Sequence, residues 1–199
     1  MNSADLSDEQ TLRRIQEQIA AGDQRAFRQL FDHFAEKLCG FAFSIIKNKE
    51  AAMEIVDEVF VKCWKQRTGM PAIRQMRTYL YTATKNASLN YLSARAHLQV
   101  TDPFDFINIQ LQDEASPEQQ MITAEIFNKI RAAVDELPPR CKMIFKLVRE
   151  DNLKYREVAE ILNLSVNTVD AQMVIAVKRI SEKVKAHFDC FPKVALKKN

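Results

Sequence analysis

Apolar residues along most of this 199-residue chain recur every three or four positions, the period of helices lying on a core. Leu12, Ile15 and Ile19 form the first stripe, and Ser7 with Gln10 reads as a capping box before it. Gly22 ends that helix, and Asp23 is placed to cap the next. Phe27, Leu30, Phe31, Phe34, Leu38, Phe41 and Ile45 then make a long apolar stripe. Asn48 caps a third helix that carries Ile55, Val56, Val59, Phe60 and Cys63 on one face. Gly69 and Pro71 break the chain. A fourth helix, over residues 74–95, is expected to turn Leu80, Ala83, Ala87 and Tyr91 inward. Four helices of this size close a core by themselves.

Residues 96–117 show no such stripe and contain Pro103 and Pro117, so they read as a linker. Helices resume with Ile122, Ile126, Ile130, Val134 and Leu137, and restart after Pro138 and Pro139 with Ile144, Leu147 and Val148. Tyr155, Val158, Ala159, Ile161 and Leu162 make a short helix, and Asn163-Leu164-Ser165 a tight turn. Asparagine tolerates the left-handed backbone that such a turn needs. Ser165 then caps a long helix running to about His187. Two helices joined by three residues form a helix-turn-helix pattern.

At 100° per residue, Val169, Met173, Ala176, Val177 and Ile180 share one side of this last helix and are expected to face the core. Ala171, Val174, Ile175 and Lys178 lie opposite. Exposed valine and isoleucine suit thymine methyls in a major groove, or another helix, or a dimer partner. On the third helix the outer face holds Glu50, Glu54, Asp57, Val61 and Lys65. Acidic side chains repel phosphate, so this face is expected to meet protein or solvent rather than DNA.

Charge is segregated along the chain. Residues 1–58 carry 7 basic and 11 acidic side chains, a net −4, and residues 59–95 carry 7 basic and none acidic. Residues 96–128 hold 6 acidic residues and no Lys or Arg, and residues 129–199 hold 15 basic and 9 acidic. Two basic blocks flanking an acidic one read as two polyanion-binding surfaces joined by a linker.

Composition removes other classes. The chain has 3 glycines, where ordinary usage of roughly 7% gives about fourteen. Gly22, Gly40 and Gly69 lie far apart, so no glycine-rich phosphate cradle exists. No stretch is apolar enough to span a membrane, and Asp5, Asp8 and Glu9 replace the basic start of a secretory signal, so a cytoplasmic protein without membrane insertion is expected. Cys39, Cys63, Cys141 and Cys190 include no CxxC and read as small hydrophobes. His33 with Cys39, or His187 with Cys190, is too sparse for a metal site, so neither metal nor cofactor is expected. No catalytic constellation is present: Ser165 has no nearby histidine, and the adjacent Asp57 and Glu58 diverge on a helix, so the chain does not read as an enzyme.

Two sets of motifs resemble one family. The first reads Gly22-Asp23-x-x-Ala26-Phe27-x-x-Leu30-Phe31, then Glu54-Ile55-Val56-Asp57-Glu58-Val59-Phe60 ending at Trp64, then Tyr79-Leu80 and Lys85-Asn86. The second reads Leu137-Pro138, Ile144-Phe145-x-Leu147, Tyr155-x-Glu157-Val158-Ala159-Glu160-Ile161-Leu162 and Ser165-x-Asn167-Thr168-Val169. Together they resemble a bacterial RNA polymerase sigma factor of the extracytoplasmic-function (ECF) type over about residues 8–185. Asp57 stands where many members have Gln, and Cys63 where a large aliphatic side chain is usual.

The resemblance implies an all-α fold of two small domains, a four-helix sigma region 2 and a helix-turn-helix sigma region 4, joined by a flexible acidic linker. It places region 2 at residues 1–95, the linker at 96–119, region 4 at 120–187 and a basic tail at 188–199. It implies binding to core RNA polymerase through Glu54, Asp57 and Val61 on the clamp of the largest subunit. It implies handling of the -10 element by Arg74, Arg77, Lys85, Asn86 and the loop from Gly69 to Arg77. It implies reading of the -35 element by Asn167, Thr168, Asp170, Ala171, Val174, Ile175 and Lys178. The style also resembles members controlled by a membrane-bound anti-sigma partner. The competing reading is a self-sufficient DNA-binding regulator with an N-terminal dimerisation or ligand domain, which predicts tight duplex binding by the isolated protein.

Overall fold

The computed structural model describes residues 6, 8–96 and 121–189. All regular structure among them is helical, and no described helix is long and apolar enough to cross a membrane. The expected linker and the end of the expected tail fall on residues 97–120 and 190–199, outside the described residues. The chain divides into two compact units, Met1–Ile107 with Arg156–Leu164, and Asn108–Tyr155 with Ser165–Asn199.

In the first unit, α1 spans Glu9–Ala20, α2 Gln24–Ile46, α3 Lys49–Lys65 and α4 Met76–Ala96, with a short 3-10 segment, Arg67–Ala72, between α3 and α4. The helix starts are set by side chains that accept orphan backbone N–H groups. Asp8 caps α1, taking the Thr11 N–H at 3.2 Å, while Ser7, expected in the capping box, lies outside the described residues. The Asp8 carboxylate also complements the positive end of the helix dipole, which a serine hydroxyl does not. Gly22, at φ +94°, reverses the chain, and Asp23 Oδ1 takes the Arg25 and Ala26 N–H groups at 2.7 and 3.2 Å. Asn48 takes the Ala51 N–H at 2.8 Å and starts α3.

α2 is the central helix and packs on α1, α3 and α4. Its Leu30, Phe34, Leu38 and Ile45 are buried, as are Ile55, Val56, Val59 and Phe60 of α3. Phe27 and Phe31 are only half-buried and meet Phe60 edge-on, at 6.1 and 4.9 Å between ring centres. α4 departs from the expected face. Leu80 is buried, but Ala83, Ala87 and Tyr91 are half-buried, and Tyr81, Thr84 and Ser88 turn inward instead. The helix is too polar for an apolar stripe to orient it. Met76, Leu80, Tyr81 and Leu89 are buried with Thr84 and Ser88 among them, and their packing decides the face.

In the second unit, α5 spans Met121–Asp135, α6 Pro139–Arg149 and α8 Val166–Asp189. Pro139 occupies the first position of α6, where a missing N–H costs nothing. Val134, Leu137, Cys141 and Ala176 form the core, with Ile130, Phe145 and Ile180 packed against it. Lys142 is fully buried, and its Nζ reaches Asp135 Oδ1 at 2.5 Å, tying α6 to the end of α5. Lys183 of α8 pairs with Glu136. Val169, Met173 and Ala176 are buried as their spacing predicts, but Val177 is 45% exposed. It lies about 80° from Val169, at the rim of the stripe, where the core no longer reaches.

α7 spans Tyr155–Leu162, with Val158 and Ile161 fully buried. Asn163 takes the left-handed conformation at φ 53°, and the Leu164 N–H closes on Ala159 O at 2.8 Å. Ser165 Oγ then accepts the Thr168 N–H at 3.0 Å and begins α8.

Candidate nucleic-acid interface

On α3 the outward positions are as the helix period predicts. Glu54, Asp57 and Val61 are all exposed, Val61 at 52%, and Met53 beside them at 51%. The two apolar side chains stand among carboxylates, a surface that repels phosphate and suits a protein partner. Beside it, Gln24, Phe27, Arg28, Phe31 and Trp64 line an open groove of about 450 Å³ between α2 and α3. Cys39 of α2 lies near Asp57: burial, and then the Asp57 charge, push its thiol above the ordinary range.

The basic block that follows is laid out around aromatic rings. The Arg67 guanidinium lies 4.9 Å from the Trp64 ring, and its Nη1 donates to Trp64 O at 3.2 Å. Arg95 lies 4.7 Å from Tyr91. A guanidinium flat on a ring keeps its charge available while adding a surface for stacking. Lys62, Lys65 and Arg74 are exposed and Arg77 is half-buried. Asn86 is exposed on α4.

Lys85 stands apart from this surface. Only 3% of it is exposed, so its ammonium is not on the basic surface where the motif placed it. The inward turn of Thr84 and Ser88 carries Lys85, about 100° round from Thr84, into the packed side of α4.

The segment from Arg67 to Arg77 carries the chain from α3 to α4. Met70 and Met76 are buried at its two ends, while Pro71, Ala72, Arg74 and Gln75 are exposed. Gln16 of α1, a residue that the motifs did not single out, bonds to the backbone of this segment at Met70 O and Ile73 O. A glutamine interrupting an apolar face was the available signal. Cys63 is buried under the same region: burial pushes its thiol up to about 11, against a hydrogen bond with Tyr79 that lowers it.

On α8, Asn167, Ala171, Val174 and Lys178 fall within about 60° of one another and are all exposed, with Val174 at 60%. Ile175, 39% exposed, and exposed Asp170 flank this row. Thr168 is half-buried, and its hydroxyl lies 2.8 Å from Ser165 Oγ, so it serves the cap. Lys178 has Glu182 Oε1 at 4.0 Å, with both side chains largely exposed, a pairing too weak to hold its charge from other partners. Among the described residues no group of three or more His, Cys, Asp or Glu side chains is placed to hold a metal ion.

Residues 30–97 match the family model described as Sigma-70 region 2, and residues 127–180 the model described as Sigma-70, region 4. The chain is 25% identical over 186 residues to the ECF RNA polymerase sigma-E factor of Escherichia coli (strain K12), covering 90% of this chain and 97% of the relative. It is 23% identical over 187 residues to the factor of the same name from Haemophilus influenzae, covering 90% of this chain and 98% of the relative. A solved structure of CnrH in complex with the cytosolic domain of CnrY shares the fold with a TM-score of 0.53 at 20% identity, covering 87% of this chain and 97% of that chain. The chain belongs to the sigma-70 family, as an ECF-type RNA polymerase sigma factor. Its function is to direct promoter-specific transcription initiation, with core RNA polymerase and promoter DNA as partners; sigma factors are non-catalytic initiation factors.

Proposed function

We propose that the work of initiation is divided among three exposed surfaces. The outer face of α3, through Glu54, Asp57 and Val61, docks on the clamp of the largest polymerase subunit. The basic block with Arg74, Arg77 and Asn86, together with the Gly69–Arg77 segment, takes the unpaired -10 strand. The outward row of α8 reads the -35 element: Asn167 and Thr168 position the helix, Asp170, Ala171, Val174 and Ile175 face base edges, and Lys178 meets phosphate. Lys85 is left out of the contact set because it is buried, and on this reading it supports α4 from within. Residues 1–95 act as the polymerase and -10 module, 120–187 as the -35 module, 96–119 as the acidic connection and 188–199 as a basic tail.

The observation that carries this reading is the α3 face, where exposed Met53 and Val61 stand among carboxylates at the junction with a block that has no acidic residue. A protein-facing surface adjoining a polyanion-facing one is what a factor between polymerase and DNA requires. A self-sufficient DNA-binding regulator would use the first of these to dimerise, and is told apart by binding its duplex tightly without polymerase. The factor works in the cytoplasm, held by an anti-sigma partner until its signal arrives; the solved CnrH complex with the cytosolic domain of CnrY supports a partner of that kind. Run-off transcription with core polymerase on a panel of promoters tests the reading. Transcripts should require both core enzyme and this protein. Specific, tight binding of a promoter duplex by the protein alone would favour the regulator instead.

A further inference from the structure

Gln16 sits on the buried face of α1 between Ile15 and Ile19, where an apolar side chain would continue the stripe, and it is 2% exposed. Its side-chain amide donates to Met70 O at 2.7 Å and to Ile73 O at 2.9 Å, across 54 and 57 residues of chain. A glutamine amide has two N–H groups, and here both are spent on one segment. The two carbonyls lie on either side of Pro71 and Ala72, the exposed crest of the connection between α3 and α4. The Met70 and Met76 side chains anchor the connection in the core. Gln16 anchors its backbone from outside the connection's own sequence.

We propose that Gln16 is a positioning residue for promoter opening, fixing the Gly69–Arg77 connection in the shape that receives the unpaired -10 base. This rests on the reading of that connection as the -10 handler. The region 2 family match begins at residue 30, so the assignment adds to the melting apparatus a helix that precedes the matched segment. The physical reason is the cost of an unmade hydrogen bond. Met70 O keeps the Ile73 N–H at 3.0 Å, but Ile73 O, deprived of the amide, recovers a partner by moving toward water. The connection shifts, while α2, α3 and the apolar residues of α1 keep their own packing.

Two variants of the full-length protein test this. Gln16→Met keeps the unbranched shape and removes both donors. Gln16→Glu keeps the shape but, when ionised, sets an acceptor against two acceptors; protonation at lower pH returns one donor, and burial favours that neutral form. Gln16→Met should unfold thermally close to wild type, Gln16→Glu should be less stable at neutral pH than at low pH, and both should co-purify normally with core polymerase when assayed below their unfolding temperatures. Permanganate reactivity of the -10 region on a duplex promoter should fall roughly tenfold, the factor set by about 1.4 kcal/mol. The emission of Trp64, the chain's single tryptophan, should shift, because Arg67 at the start of the connection stacks on it. Melting by Gln16→Glu should recover in part as the pH is lowered, and melting by Gln16→Met should not. Wild-type melting by a folded Gln16→Met protein overturns the proposal. Parallel loss of folding or of core binding also overturns it, by assigning Gln16 to general stability. If Arg74→Ala and Ala72→Trp also leave melting intact, the reading of the connection itself falls.

Discussion

α3 and α8 each present an exposed valine on a helix whose other side is packed. Val61 is 52% exposed and Val174 60%, so burial alone does not distinguish them. Their neighbours do. Both have an aspartate one turn before and a lysine one turn after, Asp57 and Lys65 for Val61, Asp170 and Lys178 for Val174; but Val61 also stands with Glu54 and Glu58, whereas Val174 stands with Ala171 and Ile175. Exposed apolar area is favourable to cover whoever the partner is, at about 25 cal/mol per Å². The surrounding charge biases the partner: three carboxylates against one lysine disfavour a polyphosphate and suit a protein, while a row with one carboxylate and one lysine around apolar side chains suits a major groove. On the proposed reading, the same residue type serves two kinds of recognition within one chain.

The strongest way to break the comparison is to reverse the α3 surface. Asp57→Arg with Val61→Glu should cost about 2–5 kcal/mol of core binding, the range for a disrupted charged contact in a docked interface. Co-purification with core polymerase measures it, with circular dichroism as the control for folding. Undiminished recovery of core by the folded double variant would show that α3 does not dock.

On α8 the expected effect is selective. Val174→Ala should change preference among -35 variants by about 1–3 kcal/mol at one base pair. A saturated -35 library in run-off transcription reports this directly. Uniform scaling across the library would mean that the α8 face packs on a partner helix and does not read bases.

Asn86→Ala should reduce open-complex formation several-fold and leave core binding intact, since a flipped base loses one polar partner while unstacking still costs a few kcal/mol. Permanganate footprints measure the bubble, and an unchanged footprint would remove Asn86 from the site. The smallest effect sharpens the contrast on α8 itself. Lys178→Ala should weaken all promoters alike and lower the slope of log affinity against log salt by about one unit. A sequence-dependent loss with an unchanged slope would place Lys178 on a base rather than on phosphate.

Much of this was legible before any coordinates. Asp23, Asn48 and Ser165 cap the helices their positions announced. The outward sides of α3 and of α8 followed from the period of their apolar residues, apart from Val177 at the rim. α4 was not legible. Its sequence scatters alanines, threonines and two serines among leucines and tyrosines with no dominant stripe, so periodicity chose Ala83 and Ala87 while packing chose Thr84 and Ser88. The burial of Lys85 has the same origin: a motif named the residue, and the rotation of the helix turns it toward the packed side.

What the sequence determined by itself are the features written in short-range chemistry. A cap acts over three residues, a helical stripe over one or two turns, and a block of like charge over its own length. Those features set the helices, the two acidic–basic boundaries and the faces of the strongly amphipathic elements. Only the tertiary structure decided the rest: which side of the polar α4 turns inward, how far the core reaches around α8, and that an amide at position 16 holds a backbone 54 and 57 residues away. Such contacts leave no period in the chain, because they join residues whose separation in sequence is set by the path of the fold and not by the geometry of any one helix.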